Sequence, residues 1–397
     1  MRECMKVDKT KWNIFPIKDI AIILNGYAFK SEKYCSDGIR IIRITNVQDG
    51  FIEDNDPKFY SFSIENELQR FILHEGDLLI SLTGNVGRVG ILNDSFLPAA
   101  LNQRVGCIRP TKKACVKFLY YQLRKESFKK DCIRSAKGVA QLNMSTEWLK
   151  EYKLFVPSLS EQQAIATELD SIQVMIDGYK AQLADLDALA QSIFLDMFGD
   201  PISNPKEWEV KKLFEIVQKT CALTYGIVQP GDEYPNGVPV VRSIDMSSSI
   251  IKLSNLKKVN PSIAEKFKRT TLVGDEIFIS CRGVTGMISI ASPELKGGNI
   301  TRGLVSARLE IGEKYFVYYC LKIPQLNDLI QSQTKGATLR QINVKDIRLL
   351  PIIFPPLPLQ QQFAERVEAI EKQKEQIRQQ LADAEQLMAE RMQYYFS

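Results

Sequence analysis

Arginine can hold a guanine edge through two parallel hydrogen bonds, asparagine or glutamine can do the same for adenine, and aspartate can accept from cytosine. The chain places such residues in two sets, each beside strand-like runs and glycine turns. The first set is Arg43, Asn46, Asn85, Arg88, Asn102, Gln103 and Arg104. The second is Arg242, Asp245, Arg282, Thr285, Thr301 and Arg302. Two basic loops extend them: Lys137-Gly138 with Gln141 and Asn143, and Lys335-Gly336 with Arg340, Gln341 and Asn343. Any one of these also reads as a turn residue or a surface charge, so the signal lies in the set. The chemistry it suggests is recognition of base edges and phosphates.

Residues that make or break bonds are missing from the usual patterns. The one histidine, His74, has no second histidine for a zinc site or a triad and reads as a turn residue. Gly84, Gly87 and Gly90 lack the first spacing of a dinucleotide fingerprint, and no phosphate-binding G-x-x-x-x-G-K-[S/T] loop occurs. Asp200-Pro201-Ile202 lacks the second proline and the aromatic of an adenine-methyltransferase site. Glu151-Tyr152-Lys153 has a nuclease-like Glu-x-Lys spacing but no Pro-Asp pair to accompany it. None of the eight cysteines forms a C-x-x-C pair, and they read as reduced thiols, mostly in cores. No apolar stretch approaches the ~18 residues of a membrane span, and no signal peptide is visible. The expectation is a cytoplasmic chain with no catalytic residues, metal or cofactor of its own.

The candidate residues fall in two sets because the chain is duplicated, with a period of about 198 residues. Lys11-Trp12-Asn13-Ile14 answers to Glu207-Trp208-Glu209-Val210, and Ser81-Leu82-Thr83-Gly84-Asn85-Val86-Gly87 to Ser280-Cys281-Arg282-Gly283-Val284-Thr285-Gly286. Phe118-Leu119-Tyr120-Tyr121 answers to Phe316-Val317-Tyr318-Tyr319, and Val156-Pro157-Ser158-Leu159 to Phe354-Pro355-Pro356-Leu357. So long a period is a repeated domain rather than a solenoid unit. Charge follows it: residues 1–157 and 201–356 each carry +7, while 158–200 carry −7 and 357–397 carry −2. Basic globular segments suit a polyanion, because each neutralised phosphate releases condensed counterions.

The acidic segments are heptad helices. Ile165, Leu169, Ile172, Ile176, Tyr179, Leu183, Leu186, Ala190, Ile193 and Met197 step by four and three without a slip. That spacing predicts a coiled-coil seam rather than the wider stripe of a helix lying on a globular core. Ser160 and Gln163 predict a capping box at its start, and Phe198-Gly199-Asp200-Pro201 a stop. The second seam is Phe363, Val367, Ile370, Lys374, Ile377, Leu381, Ala384, Met388, Arg391 and Tyr395, polar at Lys374 and Arg391. Each seam spans roughly 50 Å at 1.5 Å per residue. Because a domain's ends usually lie close together, the two helices are expected to pack antiparallel, relating the copies by a pseudo-two-fold axis. Short β-like runs at 39–44, 77–82, 238–241 and 276–281, with helices at 116–134 and 314–332, make each globular segment α+β. Four segments follow: domains at 1–157 and 201–356, helices at 158–200 and 357–397.

The order of these marks resembles the DNA-specificity subunit of type I restriction–modification systems over essentially the whole chain. The carriers are Trp12 and Trp208, the 81–87 turn, and Val156-Pro157-Ser158-Leu159 with Gln162-Gln163. To these are added Met197-Phe198-Gly199-Asp200-Pro201 and Asn204-Pro205-Lys206-Glu207-Trp208. The resemblance implies two target-recognition domains, each reading half of an asymmetric bipartite duplex DNA site, with the helices as a spacer. It implies that chemistry belongs to two methyltransferase subunits, which bind S-adenosylmethionine, and to restriction/translocase subunits using ATP and Mg. Glu168, Asp177, Asp185 and Asp187 are then candidates for docking a partner, and Lys374 and Arg391 suggest that the second helix leans on one. The competing readings are a coiled-coil scaffold whose basic domains bind proteins and, more remotely, a self-contained nuclease-methylase.

Overall fold

The computed structural model describes residues 7–138, 142–220, 223–336 and 340–397. They form two compact units, residues 1–180 with 380–397, and residues 181–379. The boundary cuts both long helices instead of isolating them, so each unit owns one part of each.

The first unit opens on β1 (Asn13–Pro16) and β2 (Ala21–Asn25), followed by β3 (Ile39–Ile42), β4 (Phe59–Tyr60) and a short helix α1 (Glu65–Leu68). Next come β5 (Leu78–Ser81), β6 (Val89–Ile91), β7 (Ala99–Leu101) and β8 (Val105–Pro110). Helices α2 (Val116–Leu123), α3 (Glu126–Ser135) and α4 (Thr146–Glu151) lead to β9 (Lys153–Val156) and the long α5 (Leu159–Phe198). The strands make a four-stranded antiparallel sheet, β2-β8-β5-β6, and a three-stranded one, β4-β3-β7, in which β3 and β7 run parallel. The expected helix at 116–134 breaks in two at Arg124-Lys125.

The second unit repeats this plan. It holds β10 (Val210–Lys212), α6 (Leu213–Ile216), β11 (Val238–Val241), β12 (Ile250–Ile251), β13 (Lys257–Val259) and α7 (Pro261–Ala264). It continues with β14 (Ile277–Ser280), β15 (Ile288–Ala291), β16 (Asn299–Ile300), β17 (Leu304–Ala307), α8 (Lys314–Lys322) and α9 (Pro324–Ser332). It ends with α10 (Val344–Arg348), β18 (Pro351–Ile353) and the long α11 (Leu357–Phe396). Its sheets are β12-β15-β14-β17 and β13-β11-β16. One buried ion pair recurs in both units. Asp77, ahead of β5, takes two bonds of 2.7 Å from Arg109 at the end of β8; Glu276 takes one of 2.9 Å from Arg308. These are charge-assisted bonds that tie together the ends of two neighbouring, paired strands.

Antiparallel helix packing has a local cause. The first and last strands of each domain pair with each other, β1 with β9 and β10 with β18. The point where the chain comes into a domain therefore lies beside the point where it leaves. In the second unit this sets the end of α5 against the start of α11: Phe194 and Phe198 both meet the Phe363 ring at 5.5 Å. Further along, Asp187 meets Lys374. In the first unit Arg391 of α11 forms an ion pair with Glu168 of α5 at 2.9 Å, and Lys180 pairs with Glu385. Each unit by itself shows the two helices running in opposite directions.

The heptad seam is divided among three settings. Ile165 and Leu169 join the first domain's core, together with Tyr395 and Phe396. Phe363, Val367 and Ile370 join the second domain's core. Helix-on-helix packing proper is the cluster of Ile172, Ile176 and Ala384 with Tyr179, Leu381, Leu387 and Met388. Leu183, Leu186, Ile193 and Ile377 are only half-buried. Towards its end α5 buries Ala190, Phe194 and Phe198, a four-residue spacing that turns its buried face away from Ile193 and Met197. The core of a domain accepts a wider stripe than a two-helix seam, and the helix ends follow the core.

Three expectations change. The Ser160–Gln163 capping box does not form. The cap and the helix start lie two residues earlier, and Ser158 Oγ accepts the Glu161 amide at 3.4 Å. The glutamine that matters is Gln162, which is buried: its amide group donates to Pro157 O at 3.0 Å and its oxygen accepts the Cys115 N–H at 2.8 Å. Gln360 repeats this clasp with Pro355 O at 2.7 Å and Glu313 N–H at 2.9 Å. Second, Lys374 and Arg391 do not face outward to a partner; Lys374 bonds Asp187 of α5 and Arg391 forms an ion pair with Glu168 of α5. Third, those two acids are thereby consumed, and Asp177 and Asp185 are the exposed members of the docking set. Lys374 is fully buried, with Glu371 at 2.6 Å and Asp187 at 2.8 Å, and Tyr319 donates to Glu371 at 2.7 Å.

Removing one member of a buried ion pair strands the other. Lys374→Ala should cost about 3–5 kcal/mol of unfolding free energy, measured by denaturant titration. Burial alone would raise the Asp187 pKa, but the bonds and charges of Lys374 and Lys322 outweigh it and hold the carboxyl below its ordinary value. A depressed carboxylate stabilises the fold above its unfolded pKa and loses that contribution as pH falls through its folded pKa. Unfolding free energy should therefore drop below about pH 4, and less steeply in Asp187→Asn. Equal slopes in the two proteins would contradict this assignment.

Candidate nucleic-acid interface

In each unit one turn organises the candidate residues. Ser81 ends β5 with its side chain buried; its Oγ donates to Asn85 O at 2.5 Å and accepts the Arg88 N–H at 2.9 Å. Ser280 does the same with Val284 O at 2.7 Å and Met287 N–H at 2.8 Å. Both turns need left-handed backbone, at Gly84 (φ 72°) and Gly87 (φ 86°), and at Gly283 (φ 76°) and Gly286 (φ 80°). The apex residues, Asn85 and Val284, are exposed.

The basic loop locks onto this turn. Lys137 and Asn143 exchange two backbone bonds, Gly84 N–H donates to Leu142 O at 2.9 Å, and Thr83 Oγ1 donates to Asn143 Oδ1 at 3.3 Å. In the second unit Lys335 and Gln341 exchange the same pair of bonds and Gly283 N–H donates to Arg340 O at 3.0 Å. The β7–β8 turn is attached from the other side, with Leu82 N–H on Arg104 O at 3.0 Å; its counterpart is Cys281 N–H on Gly303 O at 2.8 Å. Asn143, Arg104 and Lys137 are thus gathered beside Asn85, and Arg302, Lys335, Arg340 and Gln341 beside Arg282. Asn343 caps α10 and bonds Asp346. Gln141 lies outside the described residues.

Charge pairing divides the set further. Arg43 bonds Asp56 O at 2.5 Å, Arg88 bonds Gln48 at 2.9 Å, and Arg242 makes a two-pronged pair with Asp245 at 2.9 and 3.1 Å. Among the described residues the side chains of Arg104, Lys137, Arg282, Arg302, Lys335 and Arg340 have no ion-pair or hydrogen-bond partner. They can take a phosphate or a guanine edge without first breaking a bond. Asn46, Asn102 and Thr285 leave the reading set because they are buried and bonded inside. Asn46 is 2% exposed; its Oδ1 accepts the Arg43 N–H at 2.8 Å, and its Nδ2 donates to Glu53 O at 2.9 Å. Asn102 Oδ1 accepts the Arg104 N–H, and Thr285 bonds Gln331 and Thr334. Thr301 is half-buried on Val241 O, while Gln103 is exposed.

Gly26 and Tyr27 escaped the sequence reading. A Cβ at Gly26 would lie 2.2 Å from the Asn102 backbone, and one at Gly226 would lie 1.9 Å from Ile300 O. Each glycine lets a crossing segment bond the β7–β8 turn or its counterpart: Gln103 N–H to Tyr27 O at 3.0 Å, and Arg302 N–H to Ile227 O at 2.9 Å. Tyr27 is 37% exposed, its backbone bonded to Gln103 and its ring packed against Phe29 at 4.9 Å and Phe71 at 5.4 Å. The 198-residue register hides this repeat, because Gly26 and Gly226 are two residues out of step with it.

The residues set aside as enzyme signals have structural roles. His74 is exposed, and its backbone N–H donates to Asp77. Glu151 pairs with Lys18 at the surface, and Asp200 accepts the Ile202 N–H in a turn. Among the described residues no group of three His, Cys, Asp or Glu is placed to hold a metal ion, and no helix is long and apolar enough to cross a membrane.

The family model of the type I restriction modification DNA specificity domain matches residues 9–186 and 205–386. The chain belongs to that family. It carries two DNA specificity domains, and the two matches fall on the two copies of the stapled turn. The chain is 25% identical over 389 residues to the EcoBI specificity subunit of Escherichia coli, covering 90% of this chain and 79% of that one. It is 24% identical over 396 residues to the putative MjaX specificity subunit of Methanocaldococcus jannaschii, covering 92% and 90%. The crystal structure of the S subunit from M. genitalium superposes with a TM-score of 0.57 at 15% identity, covering 98% of this chain and 97% of that one; this likeness concerns the fold.

Two substitutions separate framework from interface. Asn46→Ala removes a bonded buried amide and should cost about 1–3 kcal/mol, whereas Arg104→Ala should stay within about 0.5 kcal/mol of wild type. Denaturant titration of both variants tests the division; a larger loss for Arg104→Ala would reverse it.

Proposed function

We propose that this chain is the DNA-recognition subunit of a type I restriction–modification complex, and that each domain reads one half of an asymmetric bipartite duplex site. The observation that carries the reading is the twice-built turn, which in each unit gathers unpaired cations beside an exposed apex. A rigid, cationic, polar-edged protrusion suits the donor and acceptor pattern of a DNA groove. The two long helices, 40 residues each, act in this reading as the spacer that sets the gap between half-sites.

The chain contributes no catalytic group. Two methyltransferase subunits, carrying S-adenosylmethionine, and restriction/translocase subunits, using ATP and Mg, supply the chemistry in the cytoplasm. The exposed Asp177 and Asp185 are available to the docking of those partners.

Methylation sequencing of cells expressing this chain with its methyltransferase should return a single two-part motif with a fixed gap; random or absent methylation would count against the assignment. Arg104→Ala and Arg302→Ala should each weaken duplex binding and flatten the slope of log affinity against log salt by about 0.9 per lost phosphate contact. A protein-binding scaffold would show neither a motif nor a salt slope.

A further inference from the structure

The apex of the stapled turn holds the same backbone in both units but opposite chemistry. In the first unit the apex is Asn85, in the second Val284, and in both cases the apex carbonyl is held by the buried serine at the end of the preceding strand. Val284 is 65% exposed, next to Arg282 and beside the loop that carries Arg340. The glycine before it, Gly283, has nothing within 4 Å of where a Cβ would stand, and Val284 itself borders an open cavity with Thr285, Met287 and Tyr318. The next residue, Thr285, turns inward and is bonded to Gln331 and Thr334. The valine is therefore the side chain that a pinned turn holds outward.

A branched apolar side chain on a rigid turn, with unpaired Arg282 on the same turn and Lys335 and Arg340 on the loop bonded to it, is badly placed for water and well placed for one feature of DNA. The thymine 5-methyl group is the apolar patch in the major groove, and it is flanked by phosphates. Cations beside Val284 would meet the phosphates and neighbouring base edges while the valine covers the methyl. Because the serine bonds hold the turn before binding, little ordering entropy opposes the contact.

Resting on the DNA-recognition reading above, we infer that the apex residue is a base-reading position in each domain, and that Val284 recognises the 5-methyl of a thymine in the half-site of the second domain. Asn85 at the matching position offers an amide edge, which suits adenine. The two domains thus use one framework and differ in the side chain set on it, which gives two different half-sites from a duplicated chain.

The test uses the full chain with its methyltransferase partner and duplex oligonucleotides bearing the motif found by methylation sequencing. Each thymine is replaced in turn by deoxyuridine, which removes the methyl and leaves every hydrogen bond. For wild type, one position in one half-site should lose roughly fourfold in affinity, the effect of one buried methyl. For Val284→Ala, binding to the thymine duplex should fall by a similar factor, and the same deoxyuridine should then make no difference. Thermal melting should be unchanged in the variant, since the side chain is exposed. If no thymine responds, or if the same thymines respond equally in wild type and variant, the thymine assignment is overturned while DNA recognition stands. If wild type shows no preference for any duplex sequence, both readings fall.

Discussion

Residues far apart along the chain share each domain core, and the fold depends on that sharing. In the first domain the ring of Phe396 meets Phe118 at 5.5 Å, and Tyr395 donates to Glu168 at 2.6 Å. In the second, Phe194 and Phe198 from the end of α5 pack with Phe316 and Phe363. Without the long helices each domain would expose an aromatic-lined face. The helices are structural parts of the domains before they are anything else. Their direction follows from the pairing of the first and last strands of each domain. A buried polar set then ties the helices together: Lys374 of α11 reaches Asp187 of α5 while Glu371 of its own helix stays beside it, so a slip of one turn would give up the cross-helix bond.

The candidate interface depends on backbone bonds more than on side-chain packing. Ser81 and Ser280 staple one turn each, the basic loop adds a short ladder, and Gly26 and Gly226 admit a third segment. The result is a surface whose shape is settled before any ligand arrives. Side chains that hold this shape, such as Asn46, are buried and bonded, whereas those free to act, such as Arg104 and Arg302, have no partner among the described residues. Buried framework residues and exposed unpaired residues are separated residue by residue, and the exposed apex differs between the two copies, Asn85 in one and Val284 in the other.

Much of this was legible in the residues. The duplication, the strands at 39–42, 78–81, 238–241 and 277–280, the heptad helices, the stop of the first at Gly199 and the glycine turns follow from periodicity and turn chemistry. Other features were not. The heptad steps mark a face but not what covers it, so Ile165 and Phe363 read as seam although they lie in domain cores. The shift of the α5 face to Ala190, Phe194 and Phe198 is the work of a neighbouring core. The capping box at Ser160 was a sound local signal that lost to Gln162, whose buried clasp satisfies a carbonyl and an amide that water cannot reach. Arg242 and Asp245, three residues apart, carried a local sign of their pairing, whereas the partners of Asn46, up to eight residues away, did not.

The sequence by itself determined that there are two basic α+β domains and two heptad helices, because these rest on patterns repeated within a few residues or copied whole along the chain. The tertiary structure decided which polar residues are available. Arg43 and Arg104 are the same residue type in equally turn-rich settings, yet one is bonded to Asp56 and the other has no partner among the described residues. Glu168 and Asp187 read as candidates for docking a partner, yet they are the counter-ions of Arg391 and Lys374, more than 180 residues away. Hydrogen bonds and ion pairs act over about 3 Å in space, and only folding brings those distant partners within that reach.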